Sequence, residues 1–268
     1  MVLFDRIEFN DELRFIDVAN DIAFTVMDLH AVRRADLASR LVNRYLLRSG
    51  DFGALEVLRF YMAYRALVRA KVALLGCADK DKAARGEADG YRSHVELAGM
   101  LLAEPSPHLA ITCGLSGSGK TTRALAEAQE SGAVVVQTDV ERKRLAEVDP
   151  FTHAGAAPGG GIYTADFSRR VYDRVARIAA NALAAGFAVI VDGAFLRRED
   201  RRRFRQLAVE HGVPFRILYC RAGVDELRRR IMARQSEQAV SDADLAVLEH
   251  QLATAELPGD DELSGVGP

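Results

Sequence analysis

Gly114-Leu115-Ser116-Gly117-Ser118-Gly119-Lys120-Thr121 fits the pattern G-x-x-x-x-G-K-[ST] at every position. A loop of such small residues leaves several backbone N–H groups facing inward, and the helix behind it adds the positive end of its dipole. At this spacing Lys120 reaches the β- and γ-phosphates of a nucleotide, and the Thr121 hydroxyl binds Mg²⁺. The bland alternative is a glycine turn with a surface lysine. The flanks argue against it, because Leu109 to Gly114 reads as an apolar strand and Lys120 to Glu130 as a helix. ATP and Mg²⁺ are therefore the expected cofactors. Gly114, Leu115, Ser116, Gly117, Ser118, Gly119, Lys120, Thr121 and Thr122 form the expected nucleotide site.

Outward from this loop the chain alternates strand and helix, the grammar of a parallel sheet covered by helices. Strands are expected at Ala133 to Val136, Phe187 to Val191 and Pro214 to Cys220, besides the one ahead of the loop. Helices are expected at Ala165 to Ala185, Arg198 to His211 and Val224 to Arg234. Ser241 with Asp244 makes a capping box before a last helix carrying Leu245, Leu248 and Leu252. The end, Pro258 to Pro268, reads as a frayed tail.

Toward the N-terminus the pattern is helical throughout. Ile16, Ala19, Ile22, Ala23, Val26 and Met27 recur at intervals of three and four, one face of a helix. Ala35 to Leu47 continues that period, and Phe52 to Leu75 is apolar over most of its surface. Asp79 to Gly90 is charged and alanine-rich, and Tyr91 to Leu102 is amphipathic again. Pro105 and Pro107 then break the pattern just ahead of the first strand. The expected architecture is an all-helical domain, 1–104, followed by an α/β domain with a doubly wound parallel sheet, 105–258, and a tail, 259–268.

With 36 Lys and Arg against 38 Asp and Glu, the net charge of −2 exerts no bulk pull toward nucleic acid or membrane. No stretch approaches the ~20 apolar residues of a membrane span, and the acidic start MVLFDRIEFNDELR does not read as a signal peptide. A cytoplasmic protein is the default expectation. Cys77, Cys113 and Cys220 are widely spaced, with Cys113 and Cys220 in apolar runs that suit buried reduced thiols.

The remaining candidates lie where strands end, which is where ligands sit in open α/β sheets. Asp139, after the second strand, suits a base for an attacking hydroxyl or a metal ligand; the alternative is a helix cap within Thr138-Asp139-Val140-Glu141. Asp192, closing the third strand, suits the metal's water shell or the acceptor, or is a structural strand-end carboxylate. Of Arg142, Lys143 and Arg144, Arg142 is the cleft candidate and the other two read as a solvated face. Arg228, Arg229, Arg230 and Arg234 follow the fourth strand, where a lid arginine would meet transition-state charge. Arg230 and Arg234, four residues apart, share a face and are favoured. Arg197 to Arg205 reads as an exposed helix face, and His153 as a loop residue.

GLSGSGKTT, QTDVERKRL, VIVDGAF and CRAGVDELRRRIMAR together resemble the small P-loop kinases grouped with gluconate kinase, zeta toxin and polynucleotide 5′-kinase. The resemblance covers most of 109–256. It implies that Asp139 serves the acceptor hydroxyl with Arg142 nearby, that Asp192 closes the third strand, and that a lid arginine lies among Arg228 to Arg234. Such kinases continue into a fifth strand, whereas Gly259 to Pro268 shows no strand pattern. LFDRIEFNDELRFIDVANDIAF and YRALVRAKVALL resemble the end of an aminoglycoside-phosphotransferase-like kinase. That resemblance implies a metal-holding role for Asp5 and a structural one for Asp17, in a half whose nucleotide lobe and catalytic loop would precede Val2. The chain then reads as a truncated version, with a first half that is not a working kinase. The expected activity is phosphotransfer to a small hydroxylated metabolite. Alternatives are a nucleic-acid 5′-hydroxyl acceptor and a nucleotide-dependent switch with a protein partner.

Overall fold

The structure, a computed structural model, describes residues 16–76, 87–151, 161–235 and 245–263. Asp5, Cys77, His153 and the Ser241/Asp244 capping pair lie outside the described residues. By packing, the chain divides into two units: Met1–Val42 with Asp51–Glu104, and Asn43–Gly50 with Pro105–Pro268.

The first unit is built of helices. Helix α1 (Val18–Ala31) starts at Asp17, whose carboxylate accepts from the Ala19 N–H at 2.9 Å and so satisfies one orphan donor of the first turn. The other carboxylate oxygen accepts from the Tyr61 hydroxyl at 3.2 Å, consistent with a structural acid at this position. Helix α2 (Ala35–Ser49) contributes its first half here. After a 3₁₀ turn (Phe52–Ala54) comes the long helix α3 (Leu55–Gly76), which buries Leu58, Met62, Ala66 and Ala70. The small Ala66 and Ala70 allow close approach, and α3 packs against α1 and against α4 (Glu87–Leu102). Arg59 of α3 donates to the carbonyls of Leu101 (3.0 Å) and Ala103 (2.6 Å), where α4 ends without partners of its own.

The second unit carries the sheet. Strands β1 (Leu109–Cys113), β2 (Val134–Gln137), β3 (Val189–Asp192) and β4 (Phe215–Tyr219) lie parallel in the order β2-β3-β1-β4. Alternation along the strands separates two faces. Ala110, Val135, Ile190 and Leu218 pack with Ala124 and Ala128 of helix α5 (Lys120–Ser131). The intervening residues Leu109, Ile111, Val134, Val136, Val189 and Val191 are buried too. Helices α7 (Ala165–Ala184), which touches β2 and β3, and α8 (Arg198–Glu210), which touches β1 and β4, cover that opposite face. Right-handed crossovers require this split, since the chain runs outward from β1 to β2 and then back. Edge-on ring contacts of Phe195 with Tyr172 (5.3 Å) and Phe204 (5.1 Å) join α7 to α8. The remaining helices are α6 (Thr138–Leu145), α9 (Val224–Gln235), α10 (Leu245–Thr254) and a final turn, α11 (Asp260–Leu263). The α/β, doubly wound reading holds. No described helix is long and apolar enough to cross a membrane.

One short piece of the N-terminal sequence belongs with this sheet. Asn43 of α2 donates to the Ala133 carbonyl at 3.0 Å and accepts from the Val135 N–H at 2.7 Å. Its carboxamide thus imitates a paired strand on the open edge of β2, where ladder groups would otherwise lack partners.

Two expectations are corrected. Gly259–Leu263 does not fray, because α11 is held by its own Glu262. Nor is Arg201 part of an exposed face: it is 1% exposed. Its guanidinium donates to both carboxylate oxygens of Glu262 (2.7 and 3.1 Å) and to the carbonyls of Phe195 (2.9 Å) and Glu256 (2.7 Å). A helix-face pattern cannot reveal a partner that arrives 61 residues later. Removing one partner of a buried pair strands the other charge. Arg201→Ala is therefore expected to destabilise the protein by about 3–5 kcal/mol. Arg198, half-exposed with its partner Asp261, should cost less than about 1 kcal/mol when changed to Ala. Urea unfolding of the two variants measures both.

Candidate functional site

The phosphate loop leaves the end of β1 through Gly114, whose φ of +151° no side chain tolerates easily. A Cβ there would also lie 2.4 Å from the Cys220 carbonyl oxygen. Behind the loop, Gly119 caps α5 in the left-handed conformation, so the first N–H groups of α5 face the loop's concave side without a side-chain cap. Lys120 folds back, donating to the Leu115 carbonyl at 2.9 Å. Burial lowers its pKa, and the charges of Asp192 and Asp139 oppose that shift. The Ser118 hydroxyl is buried without a hydrogen-bond partner. A native orphan of this kind calls for a ligand atom, and a phosphate oxygen fits it. The loop therefore has the donors for a polyphosphate.

Thr121, in the first turn of α5, donates to Asp192 Oδ2 at 2.6 Å. Thr112 of β1 lies within reach of Asp192 Oδ1 (3.1 Å) and of the Gly193 carbonyl (2.8 Å), and accepts from the Gly193 N–H at 2.9 Å. Its single proton serves one of the two acceptors at a time. Asp192 is buried, which raises its pKa, while the Thr121 hydroxyl and Lys120 pull it down. Among the described residues no three or more His, Cys, Asp and Glu cluster as a metal site. The hydroxyl–carboxylate pair suits Mg²⁺, a hard cation that takes few protein oxygens and fills its shell with water and phosphate.

Asp139 stands at the end of the neighbouring strand, second in α6. The capping alternative is not what forms: Gln137 is the cap residue, and no side chain bonds the first turn. The charge of Asp139 acts on Lys120 and Asp192 alike. Gly193 explains how the two strand ends come so close. A Cβ on Gly193 would stand 2.8 Å from Thr138 Cγ2 and 3.0 Å from Thr138 Oγ1.

The basic run after Asp139 departs from expectation. Lys143 is 0% exposed and Arg142 7%, so α6 has no solvated basic face there. Arg142 donates to the Ile162 carbonyl (2.7 Å) and the Ser168 hydroxyl (3.1 Å), and its guanidinium lies 4.9 Å from the Tyr163 ring centre. It thereby ties the Gly161–Tyr163 turn and the start of α7 to α6, with its Nε left buried and unpartnered. Arg144 pairs with Glu141, which also takes Arg174 at 2.7 Å. The reason is tertiary: α7 lies against this helix and supplies the partners.

Arg230 reaches the loop. Its Nη1 donates to the Gly117 carbonyl at 3.3 Å and its Nε to Glu226 at 2.7 Å. It lines a depression of about 540 Å³ together with Gly119, Thr122, Arg123 and Ala126. A second depression, about 520 Å³ between α7 and α8, holds none of the residues expected to act. Arg228 pairs with Glu249 and Arg229 with Glu226, both at the surface. The side chain of Arg234 lies outside what is described. Two contributors escaped sequence reading: Thr112, a polar residue inside an apolar strand, and Gln251, which accepts from the Ser116 N–H at 2.8 Å.

A glycine-rich loop between β1 and α5, a lysine and threonine opening the helix, and a carboxylate closing the adjacent strand define a P-loop nucleotide-binding domain. Residues 109–258 match the family model described as "AAA domain", and the chain belongs to that family. It is 36% identical over 245 residues to the Mycobacterium tuberculosis protein Rv2004c and, equally, to Mb2027c of Mycobacterium bovis. Those matches take in 91% of this chain but 48% of each relative, so the chain spans about half their length. Among solved structures, a sugar kinase from Janibacter sp. HTCC2649 is 23% identical, with 59% of this chain and 83% of that one covered at a TM-score of 0.44. A gluconokinase from Sinorhizobium meliloti 1021 is 20% identical, with 59% and 81% covered at a TM-score of 0.41.

The Gly193 contact is open to test. Gly193→Ala should cost about 1–3 kcal/mol, as overpacking does. Because Thr138 Cγ2 is the closest atom, adding Thr138→Ser should recover part of that loss. Urea unfolding of the single and double variants reads it.

Proposed function

We propose that the second unit transfers the γ-phosphoryl group of MgATP to a hydroxyl of a small-molecule acceptor. The observation that carries this reading is the 2.6 Å Thr121–Asp192 contact beside Lys120, with Asp139 at the next strand end. Loop N–H groups and Lys120 would hold the β- and γ-phosphates. Thr121 and Asp192, with Asp139 as a further oxygen in reach, would hold Mg²⁺, which when bound neutralises charge on the β- and γ-oxygens. In the reaction the acceptor oxygen forms a bond to the γ-phosphorus as the bond to the departing ADP oxygen breaks. Asp139 takes the acceptor's proton. Arg142 shapes the acceptor side through Tyr163 and Ser168, and Arg230 with Arg234 meets the charge that develops on the transferred group.

A net charge of −2 and the lack of any basic surplus support a small acceptor over a nucleic acid. The test is labelled ATP offered with sugars, nucleosides, antibiotics and oligonucleotides. Lys120→Ala should weaken ATP binding roughly 10- to 100-fold, the worth of a charged hydrogen bond. Asp139→Asn should retain ATP binding and lose turnover by roughly 10²–10⁴-fold. Full activity of Asp139→Asn on an identified acceptor would refute the base role.

For the first unit the proposal is a helical portion like that at the end of an aminoglycoside-phosphotransferase-like kinase, without nucleotide binding of its own. Asp17 supports a scaffold role, since both its oxygens are spent on α1 and Tyr61. Residues 1–104 expressed alone should show no shift in melting with MgATP. A clear stabilisation would mean that this segment holds nucleotide after all.

A further inference from the structure

The peptide joining Leu115 to Ser116 is held from two sides. Its carbonyl accepts from Lys120 Nζ at 2.9 Å and from the Ser118 N–H at 3.2 Å. Its N–H donates to Gln251 Oε1 at 2.8 Å. Carbonyl and N–H of one trans peptide point in opposite directions. Gln251 therefore sits behind this peptide and Lys120 in front of it. Glycines at 114 and 117 flank the segment, so local sterics alone do not hold the plane in place.

Gln251 arrives there by helical spacing. Leu245, Leu248 and Gln251 recur every third residue on one face of α10. Leu248 is fully buried against Leu227 and Ile231 of α9, and Leu115 from the loop packs on the same cluster. Arg228 and Glu249 add an ion pair between the two helices, at 2.8 Å. The side chain of Leu115 and the N–H of Ser116 are thus both fixed by α9 and α10. A backbone N–H can bond only to the oxygen of the carboxamide, so the orientation of Gln251 follows from its partner.

We infer that Gln251 is a positioning residue for Lys120: by holding the Leu115–Ser116 peptide it aims the carbonyl that keeps the ammonium at the phosphate end of the loop. This rests on the reading that Gly114–Thr122 binds the phosphates of ATP. Lys120 needs such an acceptor, because a buried polar group requires a hydrogen-bond partner, and the Leu115 carbonyl at 2.9 Å provides it. Without Gln251 the peptide is held only on its carbonyl side, by the Ser118 N–H and by Lys120 itself, and the lysine's starting point is less firmly fixed. Nucleotides with a β-phosphate should notice; AMP should not.

A double-mutant cycle tests this on the full chain, with calorimetric titration of MgATP, MgADP and AMP. Gln251→Met keeps the length and removes the acceptor. It should weaken ATP and ADP about fivefold, one neutral hydrogen bond's worth, and leave AMP unchanged. In a Lys120→Ala background it should add nothing. Gln251→Asn, one methylene short, should behave like Gln251→Met and serves if the latter folds poorly. Additive losses in the cycle would overturn the inference while leaving the ATP site intact, as would unchanged affinity. Tighter ATP binding would overturn it too, marking Gln251 as a competitor for the Ser116 N–H. If both variants melt as low as Leu248→Ala, Gln251 merely docks α10. If Lys120→Ala binds ATP like the wild type, the ATP reading itself falls and takes this inference with it.

Discussion

A buried ammonium governs the arrangement of the second unit. Lys120 stands at the start of α5 where burial works against its charge. An isolated buried cation costs several kcal/mol unless polar or charged neighbours answer it. The neighbours are the Leu115 carbonyl and the carboxylates of Asp192 and Asp139. Asp192 has the reverse problem, being a buried anion whose charge is made tolerable by Lys120, Thr121 and Thr112. Neither group is comfortable without the other. Their mutual need draws together the end of β3, the polar residue of β1 and the first turn of α5. An incoming polyphosphate would find the Lys120 charge and the uncapped N-terminal end of α5 already in place, which is the preorganisation that electrostatic catalysis requires.

The same logic runs through α6. An eight-residue helix with the sequence TDVERKRL looks destined for solvent, yet Glu141, Arg142 and Lys143 are all buried. Burial is affordable because α7 and the turn before it bring Arg174, Ser168 and the Ile162 carbonyl to meet them. Asp139 is the exception in this helix, with no side-chain hydrogen bond to another described residue.

What was legible in the sequence follows from the distance between interacting residues. The phosphate loop is local: eight residues contain both the backbone geometry and the side chains, so the motif and its flanking strand and helix could be read directly. That Asp139 and Asp192 stand at strand ends was legible one step further out, because a parallel sheet puts all such ends on one edge. Arg201, Lys143 and Asn43 were not. Arg201 meets Glu262 across 61 residues and Asn43 meets the β2 edge across about ninety, and no periodicity encodes such encounters. A basic helix in isolation carries the same letters whether its arginines are solvated or buried. Gln251 is the extreme case, a neutral side chain acting on a backbone N–H 135 residues away.

These distant contacts share a direction. Gln251 and the Leu248 cluster hold the phosphate loop, while Arg201 holds Glu262 and the Phe195 carbonyl beside the β3 exit. Chain that follows the last strand thus returns to brace the loops at the sheet's ligand edge. There is a physical reason for bracing from outside. A loop meant to receive phosphate must keep its inward donors unsatisfied, so internal hydrogen bonds beyond the one from the Ser118 N–H to the Leu115 carbonyl would close its own site. The rigidity has to come from behind, through groups that bond the outward-facing side of the backbone. Gln251 on the Ser116 N–H occupies such a position. It leaves the opposite side of the loop open to a guest, and the Ser118 hydroxyl keeps no hydrogen-bond partner among the described residues.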